Sequence, residues 1–177
     1  MNKTRQNSRR VLEMCLYAMF AALMFASKML MELLPNVHLL GMFTLLLTVV
    51  FRRRALIPIY LYVAINGVYA GFATWWIPYL YVWAVLWGVG MLLPRNMPHR
   101  VAAVVYPVVC SLHGFAFGIL YAPVQALVFG LNFEQTLVWI SSGLGFDIIH
   151  GVSNFFTGML VLPLSELILR LLARFSR

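Results

Sequence analysis

The stretch Leu39–Arg54, LLGMFTLLLTVVFRRR, sets thirteen uncharged residues directly before three consecutive arginines. A run that apolar is at home in an apolar phase, while three adjacent guanidinium groups need water or anionic headgroups. The junction marks a phase boundary, and the rest of the chain repeats it. Twelve of the thirteen Lys and Arg residues fall in four clusters: Lys3/Arg5/Arg9/Arg10, Arg52/Arg53/Arg54, Arg95/Arg100 and Arg170/Arg174/Arg177. Between clusters the only basic residue is Lys28.

Composition supports reading these boundaries as membrane surfaces. The 177 residues are 63% hydrophobic and 10% charged, with a mean hydropathy of +0.88. A water-soluble domain of this size cannot hide so much apolar surface. Cytoplasmic loops collect Lys and Arg, so all four clusters are expected inside, and each interval between them holds an even number of crossings. The first two intervals, about 40 residues each, fit one helical hairpin apiece. The third, Val101–Leu169, holds two spans with length to spare. The expected fold is therefore an all-α integral membrane protein, a bundle of six transmembrane helices in a bacterial-type plasma membrane, with N and C termini cytoplasmic.

The spans are expected at about 11–34, 39–51, 55–74, 77–93, 101–121 and 144–169, making one membrane domain over 1–177. The first is read as a retained span because it is longer than a signal-peptide core and no small-x-small cleavage site follows. Residues 122–143 are broken up by Pro123, Gly130, Asn132, Glu134 and Gln135. They are expected to form an external capping segment, re-entrant or interfacial, between spans 5 and 6. Cys15 and Cys110 stand alone and read as small buried apolar residues.

Small residues mark close helix contacts. Ala18, Ala22 and Ala26 line one face of span 1, and Gly67/Gly71 and Gly114/Gly118 are G-x-x-x-G pairs. Each set serves internal packing or docking on another membrane protein, and the longer alanine stripe makes docking most attractive for span 1.

Ionisable and polar residues within spans are costly and so are functional candidates. Asp147, His150 and Asn154 follow i, i+3, i+7 spacing and share one helix face. Lys28 and Glu32 are i, i+4 on span 1, and Asn36 and His38 follow in the next turn. With the termini inside, both groups fall in the outer half of the membrane, with Asn66, Ser111 and His113 placed to form a floor. The bland alternatives are a self-neutralising Lys28–Glu32 pair and an interhelical hydrogen bond for His150. Trp76, Tyr79, Trp83 and Trp87 form a stripe on span 4 that serves either as packing or as a stacking platform. Together these groups suit a planar heteroaromatic ligand better than a sugar or an inorganic ion.

Other chemistries lack their signatures. No G-x-x-x-x-G-K-[ST] loop, no H-E-x-x-H and no cysteine pair is present. Neither ATP hydrolysis by this chain nor a metal centre is expected, and no cofactor is called for. Ser141-Ser142-Gly143 near His150 gives only a weak hint of an intramembrane hydrolase, and the chain is not expected to be an enzyme.

This pattern resembles the substrate-binding S components of energy-coupling-factor (ECF) transporters, which import vitamins and related micronutrients. The resemblance lies in six spans within a short chain, both ends inside, an outward site, and an A-x-x-x-A motif at Ala18-Met19-Phe20-Ala21-Ala22 extended to Ala26. It implies that Ala18, Ala22 and Ala26 dock on a transmembrane T component, that two cytoplasmic ATPase subunits drive transport, and that the S component topples in the lipid. The segment Asn36-Val37-His38-Leu39 and the tryptophan-rich span 4 are most similar to S components for queuosine precursors, which are 7-deazaguanine derivatives. Riboflavin, pyrimidines and other vitamins stay open as ligands. A non-transport scaffold of the MreD type has similar size and span count, and the converging polar residues are what it would not need.

Overall fold

In the computed structural model, which describes residues 3–33 and 37–175, the short apolar run after the first turn becomes the central helix. Eight α-helices follow one another: α1 Lys3–Met31, α2 Leu40–Phe51, α3 Leu56–Ala70, α4 Tyr79–Leu92, α5 His99–Phe115, α6 Phe117–Phe129, α7 Phe133–Gly158 and α8 Val161–Phe175. Single turns of 3-10 helix at Arg52–Ala55 and Thr74–Trp76 lead into α3 and α4. Among the described residues there is no strand.

Among the described residues three helical stretches are long and apolar enough to cross a membrane: Arg10–Met31, Thr74–Leu92 and His99–Phe129. α7 and α8 together make a fourth, bent by 42°. α2 and α3 have 12 and 15 residues. At 1.5 Å per residue these reach only about 18 and 22 Å, against a hydrocarbon thickness of about 30 Å. Burial explains how so short an α2 is held. Residues Leu40, Gly41, Met42 and Thr44–Thr48 are all buried, and α2 lies against α1, α4, α5, α7 and α8. Two apolar clusters sit on its sides, one around Met24, Leu47, Ile59 and Tyr62, the other around Leu45, Leu46, Tyr106 and Val161. The outer surface of the bundle carries large exposed side chains such as Leu23, Val68, Val104, Ile119 and Phe156. A bilayer, not water, solvates an exterior of this kind.

The basic clusters gather at one end of the bundle. Arg54 pairs with Glu13 of α1, while His99 (3.5 Å) and Arg170 (3.3 Å) both meet Glu166 of α8. Arg52 does more than mark a boundary. Its guanidinium donates to the carbonyls of Gly90 (3.2 Å), Met91 (2.6 Å) and Leu93 (3.3 Å) at the C-terminal end of α4. Trp87 Nε1 donates back to the Arg52 carbonyl at 3.1 Å. These bonds hold Arg52 at φ 54°, a conformation that non-glycine residues rarely adopt.

The largest departures from expectation lie after residue 115. Span 5 does not stop near Tyr121, and residues 122–143 do not form a separate capping segment. α5 continues past a break at Ala116 into α6, which runs to the left-handed Gly130 (φ 64°). The supposed breaker cluster is then the start of α7. Asn132 Oδ1 accepts from the Gln135 N–H and Gln135 Oε1 accepts from the Asn132 N–H, each at 2.9 Å, a capping box. Span 6 accordingly begins at Phe133 and bends at Met159–Leu160 into α8, with Pro163 in the first turn of α8, where the missing N–H costs nothing. Spans 3 and 4 are trimmed to α3 and α4, because Gly71 at φ 88° ends α3. Cys15 is exposed on α1, while Cys110 is buried.

α5 and α7 pack at glycine distance. A Cβ on Gly114 would fall 2.7 Å from the His150 carbonyl group, one on Gly151 2.5 Å from the Phe115 ring, and one on Gly158 2.8 Å from Pro107 Cα. Ser111 Oγ donates to the Gly151 carbonyl at 2.9 Å across the same seam. Gly67, by contrast, makes room for Phe72 and Trp76 of the following turn. The alanine stripe takes no part in internal packing. Ala18, Ala22 and Ala26 are exposed, and the opposite face of α1, with Tyr17, Phe20, Ala21, Met24 and Ser27, is the buried one.

The glycine seam gives a direct test. Gly114→Val should cost about 1–3 kcal/mol by overpacking, read as a lower thermal midpoint of the detergent-purified protein. Gly88→Ala, in open space on α4, should leave the midpoint unchanged or slightly raised.

Candidate functional site

The break at Ala116 starts a new helix inside the bundle, and the first N–H groups of α6 have no carbonyl one turn back to accept them. Ala116, at the cap position, has no side-chain acceptor to offer. Asp147 of α7 supplies one: its Oδ1 accepts from the Gly118 N–H at 2.9 Å. The positive end of the α6 dipole favours the carboxylate there. Glycine is required at 118, since a Cβ would sit 2.3 Å from Asp147 Oδ2. That second oxygen is buried and has no partner.

Around this cap the polar and aromatic side chains converge. His150 lies one turn along α7, its Nδ1 4.0 Å from Asp147 Oδ1, too far for a hydrogen bond, and Nδ1 is buried without a partner. The His38 ring lies 5.5 Å from that of His150, and its Nδ1 is also unpartnered. Burial, with the Lys28 charge beside it, holds His38 below the ordinary imidazole range, and Glu32 pulls the other way. Phe117, the first residue of α6, is central. Its ring lies 5.0 Å from His150, 5.2 Å from Tyr121, 6.0 Å from Trp83 and 6.4 Å from His113.

The floor is a second polar group. His113 Nε2 lies 3.0 Å from the Val82 carbonyl, which can only accept, so Nε2 carries a proton, and in the neutral ring Nδ1 is an acceptor. Trp83 packs 5.8 Å from His113 with its N–H unpartnered, and Tyr79 stands edge-on to Trp83 at 5.6 Å. On α3, Tyr62 and Asn66 share a face, and the Tyr62 hydroxyl and both polar atoms of the Asn66 amide are buried without partners. Six such atoms belong to this region, one each on His38, Tyr62, Trp83, His113, Asp147 and His150, and two more lie on Asn66, one turn along α3 from Tyr62. A buried group left unsatisfied costs about 1–3 kcal/mol, so this concentration of them makes the region the candidate site.

Several expected site residues stand elsewhere or do other work. Asn154 is buried one turn beyond His150 and wedged against α2, with its Nδ2 3.1 Å from where a Gly41 Cβ would be. Lys28 and Glu32 pair with each other on α1, with Glu32 half-exposed, and touch the site only through the charge they place beside His38. Trp76 is spent on the α3–α4 connection: its N–H donates to the Val63 carbonyl at 2.9 Å and its ring packs 4.9 Å from Phe72. Trp75, not Trp76, continues the aromatic line, 5.6 Å from Tyr79. Asn36 lies outside the described residues. Phe117 and Tyr121 join the site without a signal in the sequence, because nothing there marks a helix start at 117.

Ser141 and Ser142 donate to the Leu137 and Val138 carbonyls of their own helix, both at 2.8 Å on exposed positions. Among the described residues, no three His, Cys, Asp or Glu side chains converge in a way that could hold a metal ion. The cleft between α1 and α3 lined by Phe25, Ala64, Ile65, Val68 and Tyr69 is wholly apolar.

The double duty of Asp147 separates fold from site. Asp147→Asn keeps an oxygen for the Gly118 N–H and should shift the thermal midpoint little, whereas Asp147→Leu should lose about 1–3 kcal/mol; equal midpoints for the two variants would contradict the cap. No family model, curated protein or solved structure matches this chain.

Proposed function

We propose that this chain is the membrane-embedded substrate-binding S component of an ECF-type ABC importer. It takes up a vitamin-like or 7-deazaguanine-like heteroaromatic micronutrient and catalyses no reaction itself. The observation that carries the reading is the set of unpartnered buried polar atoms ringed by Phe117, Trp83, Tyr79 and three histidines. A planar ligand gains stacking on those faces and hydrogen bonds from atoms that otherwise pay a desolvation cost. The site lies toward the end of the bundle opposite the arginine clusters. By the positive-inside rule that end is outside, with six crossings and both termini in the cytoplasm of a bacterial cell.

The exposed alanine stripe supports the second half of the reading. Ala18, Ala22 and Ala26 leave a smooth groove-forming face on α1, suited to close approach by a helix of a transmembrane T component carrying two cytoplasmic ATPases. A stripe of this kind would serve an MreD-type scaffold equally well. The buried polar set distinguishes the two, because a scaffold gains nothing from carrying that cost.

Ligand capture and docking are separable by mutation. His150→Ala should abolish the thermal shift given by the binding member of a panel of riboflavin, thiamine, biotin, guanine and 7-deazaguanine. Ala22→Leu should leave that shift intact while blocking energised uptake by more than about tenfold, since a bulky side chain bars the close approach. Uptake unaffected by Ala22→Leu would remove the docking role. An unchanged shift in His150→Ala would remove the site.

A further inference from the structure

The unpartnered atoms divide into two levels of different chemistry. One group holds the side chains that carry or can carry charge, Asp147, His150 and His38. The other holds Trp83, His113 and Tyr62, joined through the Trp83–His113 contact and the buried cluster that Tyr62 shares with Trp83, with Asn66 one turn along α3 from Tyr62. In its neutral form His113 gives its Nε2–H to the Val82 carbonyl, and this second group then bears no full charge. Its inventory is balanced. Trp83 Nε1 and Asn66 Nδ2 are donors, Asn66 Oδ1 and His113 Nδ1 are acceptors, and the Tyr62 hydroxyl serves as either; all lack partners.

Resting on the capture-site reading above, we propose that Asn66, Trp83 and His113 form a neutral shelf that reads a cyclic amide edge of the ligand. A carboxamide offers one donor and one acceptor side by side, and its natural bidentate partner is a lactam or imide that offers the same pair reversed. Asn66 is fully buried, so either half of the amide left unmatched by the ligand stays unpaired. Ammonium, carboxylate and phosphate groups are disfavoured on this shelf, because no counter-charge there repays their desolvation. A heterocycle with a plain C–H edge is disfavoured for the opposite reason: it leaves the shelf's donors and acceptors unsatisfied, and sites built to hydrogen-bond reject such analogues strongly. Asn66 and Trp83 are thus specificity-determining residues, while Asp147 and His150 face the other end of the ligand.

Matched heterocycles that differ chiefly in that edge test the shelf: guanine against 2-aminopurine, uracil against pyrimidine, and lumichrome against phenazine. Affinities are measured by equilibrium dialysis on the full chain in lipid nanodiscs. The wild type should bind the amide-bearing member of at least one pair at least about tenfold more tightly than its mate, the size of one good bidentate contact. Asn66→Ala should collapse that ratio to about twofold or less, whereas His150→Ala should weaken both members together. Trp83→Phe, which keeps a ring and removes the N–H, should also narrow the ratio and stands in should Asn66→Ala fail to fold. Equal binding of both mates by the wild type, or a ratio untouched by these variants, overturns the shelf and leaves the capture site standing. Binding of no heterocycle at all overturns the shelf and the heteroaromatic reading together.

Discussion

A helix that stops and restarts inside an apolar bundle exposes backbone N–H groups where no water can reach them. Here the restart is at Phe117, and the group that answers it is Asp147, reaching from α7 to the Gly118 N–H. Much else in the bundle is arranged around that one contact. The carboxylate reaches because α5 and α7 approach at glycine distance through Gly114, Gly151 and Gly158. It fits because residue 118 has no side chain. The break also turns Phe117 into the midst of the histidines and Trp83, in place of a further turn of α5. Interrupted helices in membranes are tolerated where the freed groups find partners in protein, and such places are where ligand sites are built.

The same contact explains how a buried carboxylate is held without a cation. Lys28, the only basic residue between the clusters, is paired with Glu32 and leaves Asp147 alone. A helix N-terminus supplies the partial positive charge, one oxygen is satisfied, and the other is buried without a partner. Arg52 is the counterpart at the basic end: a charged side chain that satisfies three carbonyls at the end of α4. At both ends of the bundle a costly charge is placed on helix termini, so backbone satisfaction and side-chain burial are solved together.

The sequence showed the helical class, the gathering of the basic clusters and the shared face of Asp147, His150 and Asn154, since these depend on composition and on a fixed helical period. The structure sets His113 and Trp83 around Phe117, His38 beside His150 and Tyr79 beside Trp83. What it hid depends on tertiary contact. Ala116 carries no signature of a helix end, so Phe117 and Tyr121 stayed invisible and 122–143 looked like a cap. Asn132 and Gln135, three apart, are a capping box, and reading them as breakers misplaced the start of α7. Trp76 looked like the head of an aromatic stripe, yet the 3-10 turn at Thr74–Trp76 directs its N–H to Val63. Lys28 and Glu32 drew attention as intramembrane charges, although i, i+4 spacing lets them satisfy each other.

The central claim is that the buried polar atoms around Phe117 hold a small heteroaromatic molecule, and native mass spectrometry of the full chain released gently from membranes tests it most directly. The account requires a single added mass, one ligand per chain, that is lost in His150→Ala and absorbs in the near ultraviolet once released. A wild-type protein that flies only at its bare mass, after isolation from cells grown in rich medium and with a midpoint equal to that of His150→Ala, would contradict it.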